Sequence, residues 1–223
     1  MYKPKKSHPC DMPADVSLDA LVLNASLKHK PDSSNTDEVA NLVIDSMKQY
    51  CPITSEILRL SDMVIPVGLG FKESGSDEWP AVVKKMKKAD IVIFATPIWW
   101  GQRSSLMQRV MERMDALDEE YRASNRSALL NKVAGIVVTG SEDGAQQVIA
   151  SIMEVLTFMN FTLPPECAAY WVGEVGLPSN TDAERRRKNE AVSHMAKNMA
   201  RNLVYYSQLL KQHPLKPQTK ASE

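Results

Sequence analysis

The chain has 223 residues and equal numbers of basic and acidic side chains, 27 Lys and Arg against 27 Asp and Glu. This balance argues against a nucleic-acid binder with a basic surface and against a strongly acidic protein. The charge is unevenly spread, because residues 31–180 carry 13 basic against 20 acidic side chains. The length favours one large domain, which we place at residues 19–212, between an irregular leader at 1–18 and a flexible tail at 213–223.

Cysteine usage and targeting signals point to a cytoplasmic protein. Cys10, Cys51 and Cys167 are far apart and show no C-x-x-C spacing, so the sequence supports neither a disulfide nor a metal site. The basic segment Met1–Pro9 is followed by no apolar stretch of signal-peptide length, and no run of about 18 apolar residues exists. We therefore expect no metal, no membrane span and no nucleic-acid partner.

Short unbroken apolar runs predict strands that are buried on both faces, as in a parallel sheet. In chain order the runs are Ala20–Leu23, a weaker one near Ser55–Leu60, Ile91–Ala95, Val133–Val138 and a weaker one near Cys167–Val172.

Stretches with helical spacing of apolar residues alternate with these runs and predict five helices. The last helix should open with a capping box formed by Thr181 and Glu184. The helical stretches are Val39, Leu42, Val43, Met47 and Tyr50; a shorter one from near Asp77 to near Lys88; Leu106, Met107, Val110, Met114 and Leu117; Val148, Ile152, Leu156 and Met159; and Val192, Met195, Met199, Leu203, Tyr206 and Leu210.

Five strands alternating with five helices predict a doubly wound α/β sandwich with helices on both faces. In such sheets ligands bind beyond the carboxyl ends of the strands, near the point where the strand order reverses. The informative loops are therefore those after the first, third and fourth strands.

The loop after the first strand suits an anion. It runs from Asn24 to Lys28 and, after a spacer, reaches Ser33–Thr36 at the start of a helix. The amino terminus of a helix favours negative charge, and the hydroxyls of Ser26, Ser34 and Thr36 add hydrogen-bond donors for a phosphate. Ser34 taken alone is better explained as a helix cap. The loop lacks both the dinucleotide and the P-loop glycine patterns.

The other two loops suit a planar ligand. Trp99 and Trp100 are adjacent at a strand end, where both indoles cannot easily be buried, so they offer an apolar wall for a ring system. The segment Thr139–Gly144 contains two glycines that let the backbone approach a ligand closely.

With these loops the sequence resembles the NAD(P)H-dependent FMN reductase and quinone reductase branch of the flavodoxin-like superfamily. The resemblance covers roughly residues 19–210, and it is carried by Leu23–Lys28, Ser34–Thr36, Ala89–Gly101 and Thr139–Gly144. It implies a five-stranded parallel sheet of order 2-1-3-4-5 that binds FMN.

The resemblance also implies the roles of the loops. The phosphate would lie against the first loop and the isoalloxazine ring against the third-strand loop. Backbone N–H groups of the last loop would approach the other edge of the ring and stabilise negative charge on the reduced flavin. The implied FMN-binding residues are Ser26, Lys28, Ser34, Asn35 and Thr36; Thr96, Pro97, Ile98, Trp99, Trp100 and Gly101; and Thr139, Gly140, Ser141, Asp143 and Gly144.

The implied activity is a ping-pong reaction in which FMN takes hydride from NAD(P)H and reduces a quinone, flavin or other electron-poor aromatic acceptor. No side chain need act as a catalytic nucleophile, because the flavin carries the chemistry. A homodimer or homotetramer is also implied. The loop Val64–Pro80 either selects the acceptor or is a mobile surface connection, and the basic run Arg185–Lys188 is interpreted as a solvated helix face.

Three alternative functions are considered beside the reductase. A flavodoxin-type electron carrier shares the fold but is shorter and more acidic. A receiver-type signalling domain needs carboxylates at the end of the first strand, where this chain has Asn24, Ala25 and Ser26. A hydrolase built on Ser26 lacks the G-x-S-x-G motif and a histidine in a suitable context.

Overall fold

A computed structural model describes residues 16–217 of the chain, except residues 125 and 142. Most of the expected leader and the last six residues of the expected tail lie outside the described residues. The described part of the tail is held to the loop before a central strand, where the Asn131 side chain exchanges two hydrogen bonds, of 2.8 and 3.1 Å, with the backbone of Leu215. The domain bounds stay a prediction.

The unbroken apolar runs form a parallel sheet, as predicted. Its strands are β1 (Leu18–Asn24), β2 (Ile53–Arg59), β3 (Ile91–Trp99), β5 (Val133–Gly140) and β6 (Ala168–Val172). They lie in the order β2-β1-β3-β5-β6, which is the predicted 2-1-3-4-5 order of the parallel strands. A two-residue strand that the sequence did not predict, β4 (Gln102–Arg103), pairs antiparallel with the end of β3.

Helices cover both faces of this sheet. They are α1 (Asn35–Met47), α2 (Trp79–Lys88), α3 (Ser105–Arg113), α4 (Asp115–Ser124), α5 (Ala145–Phe158), α6 (Ser179–Arg187) and α7 (Glu190–Gln212), and a 3-10 turn spans Leu60–Asp62. Across the described residues, no helix combines the length and apolar composition needed to cross a membrane.

Alternate residues of the inner strands β1, β3 and β5 enter two separate hydrophobic cores. On β3, Phe94 packs in the core under α2, α3, α4 and α5, whereas Ile93 packs in the core under α1 and α7. Both faces of β3 are therefore buried away from water, which explains why such a strand appears in the sequence as a continuous apolar run.

The third helix was predicted as one continuous helix, and this prediction is wrong. Met107, Val110, Met114 and Leu117 are buried in one core, as the spacing predicted. The helix nevertheless breaks at Met114, where the N–H of Leu117 bonds the Met114 carbonyl three residues back at 2.9 Å. This tighter turn separates α3 from α4.

The predicted start of the last helix is also wrong. The segment forms two helices, and Thr181 lies inside the first of them, whose N-cap is Pro178. The second begins at an unpredicted cap, because the side chain of Asn189 accepts a hydrogen bond of 3.0 Å from the N–H of Val192. An asparagine that bonds its own following backbone favours a new helix start over continuation.

Candidate functional site

The loop between β1 and α1 forms the floor of the candidate site. Ser34 is the N-cap of α1, and its hydroxyl accepts hydrogen bonds from the N–H of Asp37 at 3.2 Å and from the Asn24 amide at 3.3 Å. A hydroxyl that accepts two hydrogen bonds still has its own proton to donate. Ser26, Ser34 and Thr36 are all buried; Ser34 and Thr36 lie at the start of α1, whereas Ser26 follows the end of β1.

Lys28 is placed differently from these hydroxyls. Its Nζ donates to the carbonyl of Ser33 at 3.3 Å and the side chain is exposed, whereas its backbone N–H donates to the Ser26 hydroxyl at 3.3 Å. Lys28 thus bridges the two ends of the loop and keeps its positive charge in solvent at the rim.

A buried polar cluster that sequence reasoning missed supports this loop. The Asn24 side-chain oxygen accepts a 2.7 Å hydrogen bond from the N–H of Ser26, and its amide also donates to the carboxylate of Asp37. Asp37 in turn forms an ion pair with Arg59, which is only 6% exposed. The available signal was a charged residue at the carboxyl end of a strand, since Arg59 ends β2.

Hydroxyl contacts join the three predicted loops at one edge of the sheet. Thr36 at the start of α1 and Thr139 at the end of β5 share a hydrogen bond of 2.8 Å. The Ser104 hydroxyl, which caps α3, donates to the carbonyl of Ala25 at 2.8 Å, and the Ser104 N–H donates to Thr96 at 3.1 Å. The structure therefore brings the loops after β1, β3 and β5 together, as expected.

The tryptophan loop is a hairpin. Strand β3 continues to Trp99, turns through Trp100 and Gly101, and returns as β4. Both turn residues have positive φ, 51° at Trp100 and 72° at Gly101, and positive φ is costly for a bulky side chain such as that of Trp100. The indoles are 48% and 87% exposed, so neither belongs to the core. Ile98, by contrast, is buried and packs inward.

Two glycines of the β5–α5 loop are required by close contacts with this hairpin. A Cβ on Gly144, whose φ is 120°, would lie 2.8 Å from the Cα of Gly101. A Cβ on Gly140 would lie 2.9 Å from the Cβ of Ile98. Backbone lies against backbone at Gly144, whereas Gly140 lies against the Ile98 side chain; Ser141 and Asp143 of the same loop are exposed.

Asn35 is bound into a network that the sequence did not predict. Its side-chain oxygen accepts a hydrogen bond of 3.2 Å from Arg186, and its amide lies 3.5 Å from Asp182. The basic run Arg185–Lys188 was interpreted as a solvated helix face, and this is wrong for Arg186. Its side chain is buried and forms ion pairs of 2.6 Å with both Asp182 and Glu38. Burial acts to raise the pKa of Glu38, but hydrogen bonds from Arg186 and Arg187 outweigh it and lower that pKa.

A buried ion pair holds the loop between β2 and α2 in place. Arg113 of α3 and Asp77 are paired at 2.8 Å, with both side chains fully buried. Arg113 also donates to the carbonyls of Pro66 and Gly70, each at 3.0 Å. Burial acts to raise the pKa of Asp77, yet hydrogen bonds from Arg113 and two backbone N–H groups outweigh it and lower that pKa.

This anchoring leaves the apolar side chains of the loop in solvent. Val67, Leu69 and Phe71 are 73%, 64% and 46% exposed. Because Arg109 and the buried Arg113 hold the neighbouring backbone carbonyls of Ile65, Pro66 and Gly70, the loop is a preformed apolar surface following the carboxyl end of β2.

Among the described residues, no group of three or more His, Cys, Asp and Glu side chains is arranged to hold a metal ion. Cys51 and Cys167 are buried free thiols, and Cys10 lies outside the described residues.

The fold and the loops at its strand ends define a flavodoxin-like oxidoreductase, and residues 18–174 match the family model of NADPH-dependent FMN reductases. The chain belongs to the NADPH-dependent FMN reductase family. It is an FMN-containing reductase that uses NAD(P)H.

Individual relatives agree with this placement. The chain is 27% identical, over 89% of its length and 80% of the relative's, to 8-demethyl-8-aminoriboflavin-5'-phosphate synthase of Streptomyces davaonensis. It is also similar to the crystal structure of RosB with a bound 8-demethyl-8-formylriboflavin-5'-phosphate intermediate, with a TM-score of 0.78, 26% identity, and coverage of 89% of this chain and 82% of the other.

A third relative is much longer than this chain. The chain is 32% identical, over 87% of its length, to a Mycobacterium bovis protein named as a divalent metal cation transporter, and the match spans only 29% of that protein.

Proposed function

We propose that the chain binds FMN at the carboxyl edge of the sheet and uses NAD(P)H to reduce a quinone, a free flavin or another electron-poor aromatic compound. The main support for this proposal is that a polar surface and an apolar surface lie together at the carboxyl edge of the sheet. Buried hydroxyls at the start of α1 suit a phosphate, and an exposed tryptophan hairpin suits a flat ring.

The residues present fit FMN. Ser26, Ser34 and Thr36 supply hydroxyls at a helix amino terminus, without a cationic cage. The tight contact between Gly101 and Gly144 excludes any side chain there, and we propose that backbone N–H groups of this loop face the ring. The full set proposed to hold the cofactor remains the sixteen residues inferred from the sequence.

Each group of residues has its own task in this proposal. The hydroxyl loop binds the phosphate and orients the cofactor, and the hairpin at Trp99 and Trp100 excludes water from one side of the ring. The backbone near Gly140 and Gly144 stabilises negative charge at the opposite edge. When bound, FMN supplies hydride transfer from NAD(P)H and reduction of the acceptor.

We further propose that acceptor choice depends on two exposed apolar surfaces. One is the hairpin with Trp99 and Trp100, and the other is the loop carrying Val67, Leu69 and Phe71. Exposed apolar clusters of this kind mark binding sites or subunit contacts. They also support a homodimer or homotetramer in which these loops meet a second subunit.

We propose a cytoplasmic location, supported by the free thiols of Cys51 and Cys167 and by the use of NAD(P)H as reductant.

Steady-state kinetics tests this function. The purified protein loaded with FMN should oxidise NAD(P)H continuously when a quinone or free flavin is added and no protein partner is present. Oxidation that requires a second electron-transfer protein would instead favour the flavodoxin-type carrier.

A second candidate function is chemical modification of the flavin ring of FMN, with FMN as the substrate. The likeness to RosB, which holds a flavin phosphate intermediate, favours it specifically. Mass spectrometry of the flavin after aerobic incubation with an amino-group donor separates the two. Unchanged FMN supports the reductase, and a flavin phosphate altered at position 8 supports the modifying enzyme.

A further inference from the structure

We infer that Arg59 is a positioning residue for the cofactor phosphate, acting through the loop between β1 and α1. This inference rests on the proposed FMN site. Arg59 ends β2, outside the three loops that the sequence singles out, and its side chain is 5% exposed.

Arg59 and its neighbours hold the loop between β1 and α1 in shape. Arg59 donates to the carbonyl of Asp32 at 2.6 Å, and the Ser61 hydroxyl donates to the carbonyl of Lys28 at 2.8 Å. Asp62 accepts from the N–H of Lys30 at 3.2 Å. The end of β2 thus holds the spacer between Lys28 and Ser33 at several points, and Arg59 is the buried one among them.

Arg59 also balances a negative charge beside this loop. Asp37 lies in the first turn of α1, and its carboxylate shares the Asn24 amide with the Ser34 hydroxyl. A carboxylate in this position would repel a phosphate dianion. Its ion pair with Arg59 offsets that repulsion within a buried cluster, where charges are screened little by water.

Loss of the Arg59 charge should therefore cause a defect that is specific to the phosphate. Arg59→Gln keeps a hydrogen-bond donor but removes the charge, so Asp37 is left without its cationic partner. Riboflavin has the same ring as FMN and no phosphate, and its binding should therefore not depend on Arg59.

The experiment compares the affinities of FMN and riboflavin for the apoprotein by titration of flavin fluorescence. Arg59→Gln should weaken FMN binding by about tenfold or more while riboflavin affinity changes by less than about twofold. Arg59→Lys keeps the charge but cannot bridge Asp32 and Asp37 as a guanidinium does, so it should show a smaller loss, still confined to FMN.

Arg201→Gln is the matched control, because Arg201 is an exposed arginine on α7 whose Nε bonds the neighbouring Asn202. It should leave both affinities unchanged. Circular dichroism checks folding, and if Arg59→Gln is unfolded, Arg59→Lys measured against wild type provides the same comparison.

Two different failures are distinguishable. Equal weakening of FMN and riboflavin, or of neither, would overturn the role of Arg59 while the wild type still prefers FMN. A wild-type protein that binds FMN no more tightly than riboflavin would overturn the proposed phosphate site itself.

Discussion

At the scale of single residues, the glycines of the candidate site are explained by backbone contact. Gly144 combines a φ of 120° with a position where a Cβ would touch the Cα of Gly101. The sequence suggested that this loop lets backbone approach a ligand. The structure adds that the glycine also lets the tryptophan hairpin and the β5–α5 loop meet.

Gly144→Ala should therefore weaken FMN retention and destabilise the fold by about 1–3 kcal/mol, since it adds both backbone strain and a backbone clash. Gel filtration with the flavin followed by absorbance measures retention. The control is Gly176→Ala, because Gly176 has a φ of 82° but nothing within 4 Å of an added Cβ. Equal retention in both variants would argue that the contact with Gly101 has no part in the site.

Trp100 is the hairpin residue proposed to contact the acceptor, because 87% of it is exposed. Trp100→Ala should raise the KM for a quinone acceptor about tenfold. Phe158→Ala removes another exposed aromatic side chain, on α5, and serves as control. An unchanged KM in Trp100→Ala would remove the hairpin from the acceptor site.

At the scale of elements, the β2–α2 loop depends on charges that the sequence pattern hides. Asp77 and Arg113 are 36 residues apart, and each alone looks like a surface charge. Together they are fully buried, with the Arg113 guanidinium 5.7 Å from the centre of the Trp79 ring. The pair fixes the exposed segment that carries Leu69 and Phe71.

Asp77→Asn should destabilise the protein at neutral pH by about 3–5 kcal/mol, because a charged Arg113 stays buried without its partner. The folded protein lowers the pKa of Asp77, so the stabilisation is complete above the unfolded pKa of about 4 and is lost as the pH falls through the folded pKa. The stability difference between wild type and Asp77→Asn should therefore narrow in acid.

Chemical denaturation at neutral and acidic pH measures this difference. Asp45→Asn is the control, since Asp45 pairs with Lys48 at the surface, where both side chains are about half exposed or more. A difference for Asp77→Asn that does not vary with pH would mean that the ionised carboxylate is not the stabilising form.

At the scale of the whole molecule, the sheet was predictable and the charged networks were not. The strands follow from apolar runs such as Val133–Val138, because a strand buried on both faces has little freedom in composition, whereas their order follows from the resemblance to the flavodoxin-like reductases. The breaks at Met114 and before Asn189 depend on single turns and caps, which the helical spacing of apolar residues does not reveal.

In the candidate site, too, some parts were predicted from the sequence and others were not. The loops after β1, β3 and β5 were found because parallel strands bring their carboxyl ends to one edge. Arg59 and Arg186 were missed because an arginine is ordinarily solvated, and only the fold brings Asp37 to one of them and Glu38 to the other.

The visible spectrum of the purified protein mixed with FMN tests the central claim most directly. We expect the absorbance bands of protein-bound oxidised flavin to survive gel filtration, to bleach when NAD(P)H is added without oxygen, and to return on addition of a quinone. A protein that stays colourless after incubation with FMN, or one whose bound flavin is not bleached by NADH or NADPH, would contradict the account.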